Sequence, residues 1–191
     1  MSQERSTDVQ EDVVDLLLAQ HAQIREQFAR VMGTPVGQAE PLNELVHLLS
    51  VHETAEEEIV HPLARGAVPD GDAVVDDRLA EEREAKELLA RLDGMATDDP
   101  ELPPLLNRLQ DAVLRHAQQE EEHEFTWLRQ NCEASELRAA GTAVRAAQAV
   151  APTRPHPGAE TAVANVIVGP VAAVMDRVRD AVRAARGGEG R

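Results

Sequence analysis

The sequence is poor in aromatic residues and cysteine. Its 191 residues include two Phe, one Trp and no Tyr. Because β-strands are enriched in aromatic and β-branched residues in alternation, this scarcity disfavours a β-rich fold. The single cysteine, Cys132, excludes an internal disulfide and indicates a reducing compartment, so we expect a cytoplasmic protein.

No segment has the composition of a membrane anchor. The longest apolar run, residues 162–175, is interrupted by Asn165, Gly169 and Pro170 and is too short to span a bilayer. The N-terminus is polar and acidic, unlike a signal peptide. We therefore predict a protein without stable membrane insertion.

Charge of one sign dominates. The net charge is −16 at pH 7, although residues 152–191 contain more Lys and Arg than Asp and Glu. An acidic protein repels phosphates, so we do not expect nucleic acid as a partner. Solubility accounts for much of such a charge, and attraction of cations is the alternative, which requires a defined site.

Apolar residues recur at helical spacing in four stretches, residues 12–32, 42–65, 73–95 and 104–131. Short connections containing Gly and Pro separate them, which predicts an all-α, up-down-up-down four-helix bundle over residues 12–131. We expect a disordered N-terminus at 1–11, a helical extension at 132–150, a linker at 151–159 and an amphipathic C-terminal helical segment at 160–191.

Two of these helices carry a repeated polar pattern at the centre of their apolar face. His52 and Glu56 recur as His116 and Glu120, each glutamate followed by two more. A histidine and a glutamate four residues apart lie on one face of a helix and can bind the same cation. A third copy at 156–160 contains Pro and Gly, and we interpret it as a coincidence in the linker.

The other two helices each place one further candidate inward, which gives the set His21, His52, Glu56, Glu82, His116 and Glu120. Imidazoles and carboxylates in this number suit a pair of iron ions, or less specifically Mn or Zn, and a hydrogen-bonded polar core is the alternative. His123 is either an additional ligand or a core histidine. His61 falls about 180° from His52 on an ideal helix, which predicts a structural role.

This order of residues resembles the hemerythrin-like proteins with the HHE cation-binding domain. The likeness covers about residues 12–131 and includes Leu17-Leu-Ala-Gln-His21 and Lys86-Glu-Leu-Leu89. It implies a non-haem di-iron centre, with His21 and His52 on one iron, Glu82 and His116 on the other, and Glu56 and Glu120 as bridges. Glu82 replaces the histidine usual in the family, and a carboxylate there would stabilise ferric iron and disfavour reversible O2 carriage.

The resemblance implies binding or reduction of O2, peroxide or nitric oxide in an oxidative or redox stress response, with an enzymatic reduction as one option. The alternative is an iron or oxygen sensor that acts on a partner through its C-terminal segment. A scaffold with a degenerate site is a third hypothesis. The valine stripe of residues 170–186 predicts that this segment packs on the acidic bundle or on a second subunit of a homo-oligomer.

Overall fold

The computed structural model describes residues 11–149 and 151, and the regular structure in this part of the chain is entirely helical. The predicted all-α fold is confirmed, whereas the up-down-up-down order stays a prediction. The elements are α1 (Val13–Met32), α2 (Glu40–Ala55), a first π-helical segment (Glu56–Val60), α3 (His61–Ala67), α4 (Gly71–Leu92), α5 (Leu102–Gln119), a second π-helical segment (Glu120–Glu124), α6 (Phe125–Asn131) and α7 (Ala134–Gln148).

Local sequence signals set the helix boundaries. Asp12 caps α1 by accepting the Asp15 N–H at 2.9 Å, and Gly33 ends that helix. Pro41 and Pro103 lie in the first turns of α2 and α5, where a missing N–H does not remove a helical hydrogen bond. These signals explain why the predicted boundaries of the long helices lie close to the observed ones.

Each π-helical segment joins two α-helices into one continuous rod. The His61 N–H donates to the Glu56 carbonyl, and the Phe125 N–H donates to the Glu120 carbonyl, so each hydrogen bond spans five residues. A π-helical turn contains one residue more than an α-helical turn. Residues after each segment are therefore rotated by about 100° relative to an uninterrupted α-helix.

The apolar core is divided into two clusters. One contains Ile24, Phe28, Leu49, Leu89 and Leu109, and the other contains Val14, Leu17, Val60, Val75 and Leu128. His21, His52, Glu82 and His116 each lie in sequence between the residues of one cluster and those of the other. The chain passes through the two clusters in opposite order from one of these four long helical stretches to the next, which agrees with the predicted up-down-up-down arrangement. The result is a buried polar layer between two apolar halves.

Helix α7 packs on the bundle and completes the second cluster. Leu137, Ala140 and Val144 are buried there beside Val13. A Cβ at Gly141 would lie 3.1 Å from the Val13 backbone nitrogen, so the absence of a side chain permits this close approach. The predicted helical extension is thus part of the packed core.

The predicted disordered N-terminus, the linker and the amphipathic segment at 160–191 fall almost wholly outside the described residues. The same holds for the predicted packing of residues 170–186. Among the helices of residues 11–149, none has the length and hydropathy needed to cross a membrane.

Candidate metal centre

The structure brings the six predicted residues together in the buried polar layer. His21 comes from α1, His52 from α2, Glu82 from α4 and His116 from α5, while Glu56 and Glu120 are the first residues of the π-helical segments. The two motif glutamates are 0% exposed. The layer is therefore closed to bulk water, as a metal centre in a bundle core requires.

Glu56 lies between two groups of candidate ligands. Its Oε1 is 3.2 Å from His52 Nε2, and its Oε2 is 3.8 Å from His116 Nε2. Glu120 is similarly central, with Oε2 3.4 Å from His21 Nε2 and 3.5 Å from His116 Nε2. One ligand atom each from His21, His52 and Glu56 lie within 4.8 Å of one another, as do those from Glu56, Glu82 and His116. This geometry can hold two cations that share a carboxylate.

The three predicted histidines have their outer ring nitrogens held by oxygen acceptors. Nδ1 of His21 is 2.8 Å from Glu121 Oε1, Nδ1 of His52 is 2.9 Å from Gln20 Oε1, and Nδ1 of His116 is 3.1 Å from Glu81 Oε2. Since an ionised carboxylate or an amide oxygen only accepts, each Nδ1–H donates. Nε2 then faces the centre of the layer and presents its lone pair there when the ring is neutral, the arrangement typical of metal-binding histidines.

The inward atoms of the layer are not satisfied by the protein. Within the described part of the chain, no hydrogen-bond partner is present for Nε2 of His21 and His116, Oε2 of Glu82, or either oxygen of Glu56 and Glu120. A buried polar atom without a partner costs about 1–3 kcal/mol, and a charged one costs more. Such a cluster is unfavourable as a structural core, whereas a bound cation would satisfy these nitrogen and oxygen atoms as its ligands. Imidazole nitrogen with carboxylate oxygen fits Fe, and also Mn or Zn.

Electrostatic coupling shifts the pKa values of these groups. Burial alone would lower the pKa of His21, but the adjacent carboxylates of Glu120 and Glu56 outweigh it and raise the pKa to about 10. Burial likewise opposes the charged form of Glu56, yet His52 and His116 hold its pKa well below the usual range. Burial lowers the pKa of His52 itself. Protons therefore occupy part of the layer when metal is absent.

We expect the metal-free protein to lose stability as the pH rises from 6.5 to about 10. The folded-state pKa values of His21 and His61 are raised from 6.5 to about 10 and about 9, respectively. Their stabilising contribution is complete below pH 6.5, where both states bind the proton, and disappears as the folded histidines deprotonate. Urea unfolding of chelator-treated protein at several pH values measures this, with metal-loaded protein as the control, because metal displaces the same protons. A constant or rising stability of the metal-free form would refute the expectation.

His61 belongs to the layer, contrary to the prediction of a structural histidine on the opposite face. It is 2% exposed, and its Nε2 lies 2.5 Å from Glu82 Oε1. The first π-helical segment rotates residue 61 inward, one π-helical turn after Glu56. The sequence carries one signal for this distortion, because Pro62 has no N–H for the α-helical hydrogen bond to the Glu58 carbonyl.

The second π-helical segment moves the inward position from His123 to Glu124. His123 is exposed, so the structure does not place this additional candidate in the layer. Glu124 is 1% exposed instead, and burial raises its pKa to about 7. Glu53 and Arg78 are also buried in the layer, and the sequence pattern does not predict them: Glu53 is a variable position of the motif, with Ala117 in the second copy, and Arg78 lies on another helix.

Comparison with known proteins agrees with this geometry. Residues 12–128 match the hemerythrin HHE cation binding domain, so the chain belongs to that family. It is 25% identical over 139 residues to a protein of Nostoc sp. named DNA nickase, covering 72% of this chain but only 39% of that protein. It is 24% identical over 140 residues to an uncharacterized hemerythrin-like protein of Schizosaccharomyces pombe, covering 72% of this chain and 69% of the relative.

A solved structure shares the fold. The crystal structure of a hemerythrin HHE cation binding domain-containing protein from Mycobacterium kansasii has a TM-score of 0.62 at 17% identity, covering 87% of this chain and 98% of the other. At that identity the likeness shows the fold alone. The chain is therefore a helical cation-binding domain of the HHE family.

Proposed function

We propose that the buried layer binds two iron ions and that the resulting centre binds or reduces O2, peroxide or nitric oxide in an oxidative or redox stress response. His21 and His52 would hold one iron, Glu82 and His116 the other, and Glu56 and Glu120 would be shared. One observation carries this proposal: the three histidines are anchored through Nδ1, while Nε2 of His21 and His116 and both oxygens of Glu56 and Glu120 converge without hydrogen-bond partners in the described part of the chain. Bound iron would supply the electrons for reduction of a small ligand.

A small cavity beside the candidate ligands supports a small substrate. Its volume is about 10 Å³, and His21, His52, Glu82 and His116 form part of its wall. Its remaining wall is largely apolar, formed by residues such as Ile24, Leu49, Ala85, Val113 and Ala117. A space of this size is at the lower limit for one water molecule, so it favours a ligand of a few atoms over a larger substrate.

The negative charge of Glu82 favours reduction of the small ligand over its reversible binding. Glu82 is 1% exposed and places a carboxylate beside His116, with Oε1 3.9 Å from its Nε2. An anionic ligand stabilises the ferric state more than a neutral imidazole does, so it lowers the reduction potential. The net charge of −16 also supports our proposal that nucleic acid is not a partner, whatever the named relative acts on.

We expect Glu82→His to raise the reduction potential of the iron-loaded protein and to slow its oxidation by O2 or peroxide. Anaerobic ferrous loading, rapid mixing with the oxidant and a potentiometric titration measure both effects. Glu84→His is the matched control, because Glu84 is exposed on the same helix. If Glu82→His and wild type share one potential and one oxidation rate, Glu82 does not act on the iron. If ferrous wild-type protein reacts with none of the three ligands, the proposed reactivity is wrong.

A further inference from the structure

A third group of candidate ligands lies in the polar layer and shares only Glu120 with the proposed iron centre. One ligand atom each from His61, Glu120 and Glu124 lie within 4.8 Å of one another. The three residues are 2%, 0% and 1% exposed. Both π-helical segments create this group, because His61 directly follows the first, and Glu120 and Glu124 begin and end the second.

The atoms of this group are also without protein partners. Among residues 11–149, neither oxygen of Glu120 or Glu124 nor Nδ1 of His61 has a hydrogen-bond partner. The other ring nitrogen of His61 is held by Glu82 Oε1 at 2.5 Å. His61 thus repeats the pattern of the histidines of the proposed iron centre, with one ring nitrogen anchored by a carboxylate and the other unpaired.

Neighbouring charges leave the group negative. Arg78 lies near Glu124, but its Nε is 4.0 Å from Oε2, beyond hydrogen-bond distance. The same guanidinium approaches Glu81 more closely, with Nη1 3.2 Å from Oε2. With Glu82 adjacent as well, three buried carboxylates surround one imidazole and this one guanidinium. A negative, water-excluded pocket with one imidazole attracts a divalent cation.

We propose that His61, Glu120 and Glu124 form a third position for a divalent transition-metal ion, with Glu82 orienting His61. This inference rests on the proposed function, because Glu120 is shared with the di-iron centre. Its residues differ from those of the second iron position, since neither group assigned to the first two ions contains His61 or Glu124. The donor set of one nitrogen and two carboxylates suits Mn, Fe or Co.

Anaerobic titration with Co2+ tests the proposal, with calorimetry and elemental analysis for stoichiometry and visible absorption for the coordination of each ion. We expect three Co2+ per wild-type chain. Glu124→Gln, which preserves the shape of the side chain, and His61→Ala should each bind two, with the first two ions keeping their affinity and spectrum. Glu122→Gln and His47→Ala are matched controls on exposed residues and should bind three.

The possible outcomes are distinguishable. Wild type that saturates at two ions, with both variants also at two, overturns the third position and leaves the di-iron proposal intact. A fall to one ion in His61→Ala also overturns it, because His61 would then serve the second ion. Wild type that binds no Co2+ contradicts the proposed function as well.

Discussion

Replacing His52 by alanine is expected to remove at least one metal ion from the protein and to weaken binding by more than about 100-fold. Loss of a residue that only orients a ligand weakens metal binding about 10–100-fold, so loss of a ligand should exceed that. His52 Nε2 lies 3.2 Å from Glu56 Oε1, and the hydrogen bond between His52 Nδ1 and Gln20 Oε1 orients the ring. No other histidine of the described chain is held by Gln20 and could take the place of His52. Elemental analysis after ferrous loading and desalting measures the loss.

The same substitution should remove the stabilisation that metal provides. A ligand present at 100 times its Kd stabilises the folded state by about 2.7 kcal/mol, so the unfolding temperature of wild type should rise on loading and that of His52→Ala should not. His47→Ala, an exposed histidine on α2, is the control and should behave as wild type. Full metal content and a wild-type temperature shift in His52→Ala would show that His52 is not a ligand.

Gly71→Ala is expected to destabilise the fold by about 3 kcal/mol, at the upper end of the usual penalty for overpacking. A Cβ at residue 71 would lie 2.6 Å from the Arg65 carbonyl oxygen and 2.8 Å from that of Ala64. Both contacts are with backbone atoms, so α3 or α4 must shift to relieve them. These helices carry His61 and Glu82, and the shift should also reduce metal affinity.

Urea unfolding of the metal-free protein measures the effect of Gly71→Ala. Gly33→Ala is the control, because its new Cβ would meet the Ala29 carbonyl oxygen at 3.3 Å and its φ of −86° suits alanine. We expect the control to change the free energy of unfolding by less than about 1 kcal/mol. Equal unfolding midpoints for Gly71→Ala and wild type would mean that the turn adjusts without strain.

Apolar periodicity was sufficient to predict the fold class, and the repeat of His-x-x-x-Glu selected residues that the structure brings together. Both depend on regular α-helical spacing, which holds from the start of each rod to Glu56 and Glu120. Apolar stripes of three- and four-residue period also located the long helices. Where the backbone is a regular helix, the sequence pattern therefore determines which residues meet.

The residues beyond the motif glutamates could not be placed from the pattern. An α-helix puts His123 and Trp127 on the inward face, yet the structure buries Glu124 and Leu128 and leaves Trp127 40% exposed. The added residue of a π-helical turn rotates every following residue to a different face of the helix, and the spacing of the apolar residues does not reveal this rotation. The same shift turns His61 inward. Sequence periodicity therefore failed at the point where the two rods depart from α-helical geometry.

The metal content of wild-type protein, measured by elemental analysis after anaerobic loading with ferrous iron and desalting, tests the central conclusion most directly. The inward atoms of His21, Glu56, His116 and Glu120 have no hydrogen-bond partner in the described part of the chain, and a bound cation would satisfy them. We expect at least two iron ions per chain, together with a higher unfolding temperature than that of the metal-free form. A folded protein that remains iron-free under these conditions would contradict the assignment of this layer as a metal centre.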